Sequence, residues 1–320
     1  MRVIPSRSKP DVLVLAYNRP EILRKTLAAI PREMVGGISI WVDGPKNVAD
    51  DTGLVRRTAR VAEEFLDSAQ DSLVVNKTNM GCRKSVTAGI DAFLTTRSCG
   101  IILEDDVVVT PTFVRYATAG LNSGPTLNSS NLGSMTGLNL VPPRELGLDQ
   151  PFRLSRYFSS WGWATWSRQW EKMSTDLQPW REYRDAIRCT PGLSAATAWH
   201  LKRTYGKILN GSLDSWAYVT LLEHIRLGLV VLVPSLRMIS NIGFGDDATH
   251  TMGPIPWYLD DRIQVATETE WLSTNLHLLP NATWDREADR YMSAEVYSFL
   301  SPWSPGRLSV GFRRLATKRF

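Results

Sequence analysis

Residues 100–109 read GIILEDDVVV, an apolar run that is interrupted by three adjacent carboxylates. The apolar residues before the carboxylates predict a buried strand, because short continuous apolar runs are typical of strands covered on both faces. Glu104, Asp105 and Asp106 at its end repel one another, and their desolvation is costly without a cation or hydrogen bonds. Their oxygens suit Mg²⁺ or Mn²⁺ carrying a diphosphate. An acidic surface turn or a helix cap is the alternative interpretation.

The chain around this stretch alternates strand and helix patterns. Strands are predicted over residues 11–16, 37–42, 72–75 and 100–103, and helices over 20–30, 51–69 and 83–96. Residues 107–109 resume β character, and Pro111 begins another helix. This order predicts an α/β, Rossmann-like fold with a mostly parallel sheet flanked by helices.

The alternation weakens after about residue 125. Helices are expected over 195–209 and 214–227 and a strand over 229–233, and eleven of the twelve tryptophans lie from Trp161 onward. The sequence therefore predicts an α/β first half over residues 1–125, an irregular aromatic-rich second half over 126–300, and a basic tail over 301–320.

The net charge of +5 originates at the two ends of the chain. Eight of the 37 Lys and Arg residues lie in residues 1–10 and 307–320, which contain no Asp or Glu, and the remaining body has 29 basic and 32 acidic residues. A nucleic-acid-binding protein is expected to carry its positive charge on the folded body. The slightly acidic body therefore argues against that class.

The three cysteines, Cys82, Cys99 and Cys189, are too few and too dispersed for a disulfide framework or a zinc cluster. No apolar signal region is visible near residue 1, and no apolar run approaches membrane-spanning length. We therefore expect a cytoplasmic protein in a reducing compartment.

Polar residues follow the ends of the other predicted strands as well. Tyr17 and Arg19 follow the first strand, Asp43 the second, and Arg83 and Lys84 the third. Ligands of open parallel sheets bind beyond the carboxyl ends of strands. Alone, each residue fits a turn or a surface charge, but their convergence indicates a nucleotide site, with Tyr17 stacking on a base and the cations near phosphate.

Four of these segments carry a family resemblance. Residues 12–20 (VLVLAYNRP), 41–44 (WVDG), 79–83 (NMGCR) and 101–106 (IILEDD) resemble, in order, the donor half of GT-A glycosyltransferases of the family-two type. The Glu-Asp-Asp variant resembles N-acetylglucosaminyltransferase I. Three later segments resemble bacterial family-two-like sequences: 159–166 (SSWGWATW), 213–216 (LDSW) and 239–251 (ISNIGFGDDATHT).

The resemblance implies a GT-A fold, with a donor-binding half over 1–125 and an acceptor half over 126–300. It implies that Mn²⁺ or Mg²⁺ is held by Asp106 and by a late histidine, His250. Because the usual Asp-x-Asp reads Glu104-Asp105-Asp106 here, it stays open which carboxylates touch the metal. The residues expected to bind a nucleotide-sugar donor are Tyr17, Arg19 and Asp43 at the nucleoside, Arg83 at the diphosphate, and Glu104 and Asp105 on the ribose or sugar side.

Two further assignments concern the second half. An inverting transfer needs a base for the acceptor hydroxyl, and Asp214, at a predicted helix start, is the first choice, with Asp246 next. A helix N-cap is the alternative for Asp214. Trp163 is expected to line the donor-sugar pocket, and packing in the core is its alternative.

These observations favour an inverting, metal-dependent glycosyltransferase that uses a UDP-sugar and a glycan, lipid-linked or small-molecule acceptor. A sugar-phosphate nucleotidyltransferase is a second hypothesis, although the Gly-rich loop of such enzymes is absent after residue 16. A non-catalytic carbohydrate-binding protein is a third. The tail over 307–320 is expected to contact an anionic membrane surface or to remain solvated.

Overall fold

The computed structural model describes residues 9–123, 131–142, 145–147, 150–244 and 275–297. The strands are β1 (Val12–Ala16), β2 (Ile38–Val42), β3 (Ser72–Val75), β4 (Cys99–Glu104), β5 (Val107–Val109), β6 (Leu132–Thr136), β7 (Phe152–Ser155), β8 (Trp163–Trp166), β9 (Val230–Pro234), β10 (Ile239–Asn241) and β11 (Thr283–Trp284). The α-helices are α1 (Pro20–Ala28), α2 (Asp51–Phe65), α3 (Cys82–Thr95), α4 (Pro111–Ser123), α5 (Ser167–Trp170), α6 (Trp180–Cys189), α7 (Ala195–Leu209), α8 (Trp216–Arg226) and α9 (Arg286–Tyr291). A π-helix, Met292–Tyr297, follows α9.

Nine of the described strands form one sheet in the order β11-β7-β9-β6-β8-β4-β1-β2-β3. Strands β3, β2, β1 and β4 are parallel neighbours, and β6 and β9 run in the same direction. Strands β8, β7 and β11 run the opposite way. The protein is thus an α/β fold with a large, mostly parallel sheet flanked by helices, as the sequence predicts.

The first four strands form because they are apolar and are covered on both faces. All five residues of β1 are buried. Val12, Val14 and Ala16 pack with α1, α2 and α4 on one face, whereas Leu13 and Leu15 pack with α3 and α8 on the other. Strand β3 is exposed because it lies at the edge of the sheet.

The second half is more regular than its sequence indicates. It contributes β6, β7, β8, β9 and β11 to the same sheet as β1, so residues 1–125 and 126–300 share one sheet. Strand β8 reads WATW and β6 reads LGSMT. Neither shows a clear strand pattern, because their burial is set by pairing with distant strands.

A second, small sheet forms next to the acidic triplet. Strand β5, which begins directly after Asp106, pairs antiparallel with β10, and Asn241 lies opposite Val107. The amide of Ile242 continues this ladder by donating to the carbonyl oxygen of Asp106, at 2.9 Å. The pairing brings residues 239–243 against the end of β4.

Membrane-spanning character is absent from the described residues, in which every helix is too short or too polar to cross a bilayer.

Candidate functional site

An open cleft of about 260 Å³ lies at the carboxyl ends of β1, β2 and β4, with the start of α3 and the loop before α8 as its wall. Strand register determines which residues form the floor of the cleft. Leu15 pairs with Trp41 on one side and Glu104 on the other, and paired residues of neighbouring strands point to the same face of a sheet. Six residues that the sequence singled out line the cleft: Tyr17, Arg19, Asp43, Glu104, Asp105 and Asp214.

The guanidinium of Arg19 bridges Asp105 and Asp106. Its Nε lies 3.2 Å from Asp105 Oδ2, and its Nη2 donates both to Asp105 Oδ1 and, at 3.0 Å, to Asp106 Oδ2. The two aspartates are only 3% and 7% exposed, so their charges require compensation. Arg19, expected from the resemblance to contact the nucleoside, provides that compensation here.

Burial and mutual repulsion shift the pKa values of the acidic triplet. Burial, reinforced by the charges of Asp106 and Asp105, raises the pKa of Glu104 to about 8. Burial also raises the pKa of Asp105 to about 6, although the charge and hydrogen bonds of Arg19 oppose the shift. The triplet therefore does not carry its full negative charge at neutral pH, and a bound cation would lower both pKa values.

Asp106 is held from a second side by β10. The amide Nδ2 of Asn241 donates to Asp106 Oδ1 at 3.1 Å, and Asn241 Oδ1 accepts from the amide of Gly243 at 2.8 Å. A Cβ at Gly243 would lie 2.1 Å from Asp106 Oδ2, so only glycine fits against this carboxylate. Asn241 thus fixes the Asp106 carboxylate, a role that the sequence did not indicate.

Tyr17 lines the cleft, and its hydroxyl group is held by a hydrogen bond. Tyr17 Oη donates to Asp51 Oδ2 at 2.5 Å, and Asn18 Nδ2 donates to Asp51 Oδ1 at 2.7 Å. The ammonium group of Lys46 lies 5.4 Å from the centroid of the Tyr17 ring. Asp51, at the first position of α2, therefore orients the ring, and nothing in its local sequence indicates this role.

Asp43 is 5% exposed and uses its carboxylate to hold the loop before α3. It accepts from the amides of Gly44 and Met80, at 2.9 and 3.0 Å, and from the side chains of Asn79 and Asn76, at 2.9 and 3.2 Å. Its oxygens are thus largely used within the protein, at the wall of the cleft.

Asp214 reaches the start of α3 from the loop before α8. Its Oδ1 accepts from the backbone amide of Arg83 at 3.1 Å. Its Oδ2 lies 2.8 Å from the place where a Cβ on Gly81 would stand, and Gly81 has a φ of +82°. Ser215, not Asp214, caps α8, by accepting from the amide of Tyr218. The exposed Asp214 carboxylate is therefore oriented into the cleft by another helix.

The side chain of Arg83 lies near Asp176, with 4.0 Å between Nη1 and Oδ1, and Arg83 is not among the residues that line the cleft. Its backbone amide, rather than its guanidinium, contributes to the cleft wall through Asp214.

Trp163 is fully buried, and its ring packs against Phe158, Trp170 and Trp216. It occupies the core under the sheet, which is the alternative that the sequence left open. Among the tryptophans that the structure describes, Trp41 lines the cleft. Its position near the carboxyl end of β2, two residues before Asp43, is the sequence signal that could have identified it.

Two of the expected residues, Asp246 and His250, lie outside the described residues. Within the described ranges, no group of three or more His, Cys, Asp or Glu side chains is arranged to hold a metal ion. The carboxylate oxygens of Asp105 and Asp106 nevertheless fit a hard cation by their chemistry, and a cationic guanidinium already bridges them. A metal at this place would compete with Arg19.

Comparisons with known proteins give a distant match. No family model matches the chain, and no curated protein matches it. Among solved structures, the chain is similar to a mannosyltransferase from Pyrobaculum calidifontis in complex with GDP-Man and Mn²⁺. The two chains are 14% identical, the match covers 70% of this chain and 71% of the other, and the TM-score is 0.36. A similarity this low carries no information on the donor, acceptor or metal of this chain.

Proposed function

We propose that this protein is an inverting glycosyltransferase that transfers a sugar from a nucleotide-sugar donor, a UDP-sugar, to a hydroxyl group of a glycan, lipid-linked or small-molecule acceptor. One observation carries the proposal. An oriented tyrosine ring, a buried aspartate, Glu104 and Asp105 of the acidic triplet and an exposed carboxylate, from distant parts of the chain, meet in one cleft at the carboxyl ends of parallel strands. This is where α/β sheets bind nucleotides.

The nucleoside is proposed to bind at the Tyr17 end of the cleft. The ring of Tyr17 is held by Asp51, and Trp41 lines the same cleft. Aromatic faces of this kind stack on bases. Asp43 stabilises the neighbouring loop, whose shape sets the width of this end.

Mn²⁺ or Mg²⁺ is proposed to bind at the carboxylates of Asp105 and Asp106 and, when bound, to neutralise the leaving nucleoside diphosphate. The hydrogen bond from Asn241 presets the Asp106 carboxylate. Glu104, in register with Leu15 at the end of β4, lines the same cleft. We propose that it contacts the ribose or the sugar.

Asp214 is proposed to act as the base. Its Oδ1 is engaged by the Arg83 amide, and its Oδ2 is the oxygen proposed to accept the proton of the acceptor hydroxyl. As that proton leaves, the acceptor oxygen forms a bond to the anomeric carbon, and the bond from that carbon to the diphosphate oxygen breaks with its electron pair. The configuration inverts, and no covalent sugar–protein intermediate forms.

Titration calorimetry with UDP and GDP, each with and without Mn²⁺, tests the donor and the metal. We expect Mn²⁺-dependent binding of UDP and, in a panel of sugar nucleotides, release of nucleoside diphosphate from one donor. Absent or metal-independent binding would contradict the proposal. Release of pyrophosphate from a nucleoside triphosphate and a sugar phosphate would instead identify a nucleotidyltransferase.

The base is tested with Asp214→Asn, which keeps the shape of the side chain and removes its basicity. We expect turnover to fall by a factor of about 100 or more, the usual contribution of a general base, with unchanged UDP binding. Asp176→Asn is the matched control, since its carboxylate is 95% exposed and lies outside the cleft lining. Full activity of Asp214→Asn would remove Asp214 from this role.

A further inference from the structure

Arg19 pairs with carboxylates of the acidic triplet, where the sequence predicts a metal ion. Its guanidinium makes two hydrogen bonds to Asp105 and one to Asp106. Among the described residues, it is the cation that pairs with these two carboxylates. A metal ion that binds the carboxylates of both Asp105 and Asp106 must therefore displace Arg19 or share these carboxylates with it.

Arg19 is also accessible from the cleft. Arg19 lines the cavity, and 15% of its side chain is exposed. Its backbone is fixed, because its carbonyl oxygen accepts from the amide of Leu23 in the first turn of α1 and Pro20 follows it. The side chain of Arg19 can thus rotate from the aspartates toward a ligand in the cleft while its backbone stays in place.

We propose that Arg19 is an exchangeable counter-cation, an inference that rests on the proposed function. Arg19 neutralises Asp105 and Asp106 while the cleft is empty, and it transfers its hydrogen bonds to the donor diphosphate when metal and nucleotide bind. Planar guanidinium groups bind carboxylate and phosphate oxygens with similar geometry, so the exchange conserves charge-assisted hydrogen bonds. Metal and nucleotide then bind cooperatively, because each makes the displacement of Arg19 less costly for the other.

If Arg19 exchanges in this way, its removal should strengthen the binding of a metal ion rather than weaken it. Removal of an arginine that merely stabilises the site would weaken every ligand. Removal of an internal competitor strengthens metal binding in the absence of nucleotide. Hydrogen bonds to charged groups each contribute enough that their release should change the Mn²⁺ dissociation constant about tenfold or more.

The test measures binding of Mn²⁺ alone, and of Mn²⁺ with saturating UDP, to the full chain by electron paramagnetic resonance. The proteins are wild type, Arg19→Gln, Arg19→Lys and the control Arg24→Gln. Arg24 lies in α1, the helix that Arg19 precedes, and its ion pairs involve the exposed Glu21 and Glu64. We expect Arg19→Gln to bind Mn²⁺ alone about tenfold more tightly than wild type, and to show a larger rise of Tm with Mn²⁺. UDP should improve its Mn²⁺ affinity less than in wild type.

Arg19→Lys keeps the charge but offers one nitrogen instead of a planar fork, so we expect its Mn²⁺ affinity to lie between those of wild type and Arg19→Gln. Unchanged or weaker Mn²⁺ binding by folded Arg19→Gln would overturn the exchange, and so would failure of both Arg19 variants to fold. If wild type binds Mn²⁺ and UDP while Arg19→Gln shows the same coupling, only this inference fails. If no variant binds either ligand, the proposed function fails with it.

Discussion

Asp105 and Asp106 are neighbours in the chain, but their surroundings differ. The side chain of Asp105 is engaged by Arg19, and its carbonyl oxygen accepts from the hydroxyl of Thr26 at 2.6 Å. Asp106 is shared between Arg19 and Asn241. Asp106 is therefore oriented by two separate segments of the chain.

Asp106→Asn preserves the size of this side chain and removes its charge. If Asp106 holds the metal, we expect turnover to fall by a factor of about 100 or more, since the metal stabilises charge on the leaving group. The assay follows nucleoside diphosphate release, with Tm as the check on folding. Asp67→Asn, whose side chain is 68% exposed, is the control. Equal activities of the two variants would contradict the role of Asp106.

The raised pKa of Glu104 predicts a dependence of stability on pH. In the folded protein Glu104 stays protonated up to about pH 8, compared with an ordinary pKa of 4.5. Between these values the folded state binds more protons than the unfolded state, so this group lowers the free energy of unfolding as the pH rises. Glu104→Gln should therefore stabilise the protein more at pH 8 than at pH 5.

Urea unfolding of wild type, Glu104→Gln and the exposed control Glu21→Gln at both pH values measures this difference. Parallel pH profiles for wild type and Glu104→Gln would show that Glu104 ionises normally.

At the scale of elements, the start of α3 connects the two sides of the cleft. Gly81 precedes α3 with a φ of +82°, and its missing side chain leaves room for Asp214. The helix begins where Asp43 fixes the loop before it, through the amide of Met80. Hydrogen bonds therefore join the helix start to both the end of β2 and the loop before α8.

Gly81→Ala tests this coupling. Gly81 combines a φ of +82° with a ψ of 158°, a conformation that costs a non-glycine residue about 1–3 kcal/mol. The new Cβ would also stand 2.8 Å from Asp214 Oδ2 and would displace that carboxylate. We expect a lower free energy of unfolding and a lower kcat, measured by urea unfolding and steady-state kinetics.

Gly53→Ala provides the matched control. Gly53 lies in α2, and a Cβ there would meet nothing within 4 Å. Alanine in a helix is more stable than glycine by up to about 1 kcal/mol, so this variant should be as stable as wild type or more stable, with unchanged kcat. Loss of activity in Gly53→Ala as well would argue against a local effect at Gly81.

At the scale of the whole molecule, one sheet joins the two halves of the chain. Strands β4 and β8 pair directly, and α3 and α8 pack into the same core. Asp214 can therefore share one cleft with Glu104 and Asp105, although they come from different halves. The basic residues over 307–320 lie outside this described body.

Deletion of residues 307–320 tests a membrane role for the five basic residues of the tail. If the tail binds anionic lipid, the deletion should reduce sedimentation with phosphatidylglycerol vesicles and leave UDP binding with Mn²⁺ unchanged. Wild-type binding should also weaken at about 0.5 M salt, where surface charges are screened. Equal sedimentation of both proteins would exclude the tail as the membrane contact, and loss of folding would identify it as structural.

The sequence predicted the first half of the fold well. Strands β1 to β5 and helices α1 to α4 lie within a few residues of their expected positions, because apolar runs and Pro or Gly boundaries act locally. In the second half, the sequence predicted α7, α8 and β9 but missed the sheet strands β6, β7, β8 and β11. Burial of Leu132–Thr136 and Trp163–Trp166 depends on pairing with distant strands, which no local pattern contains.

The sequence by itself determined that polar residues follow the ends of the parallel strands, and hence that they meet at one edge of the sheet. Only the tertiary structure decided what each of them contacts. Arg19 and Asp105 are 86 positions apart, and Arg83 and Asp214 are 131 positions apart. Such partners are chosen by strand register and helix packing, which form only when the whole chain has folded.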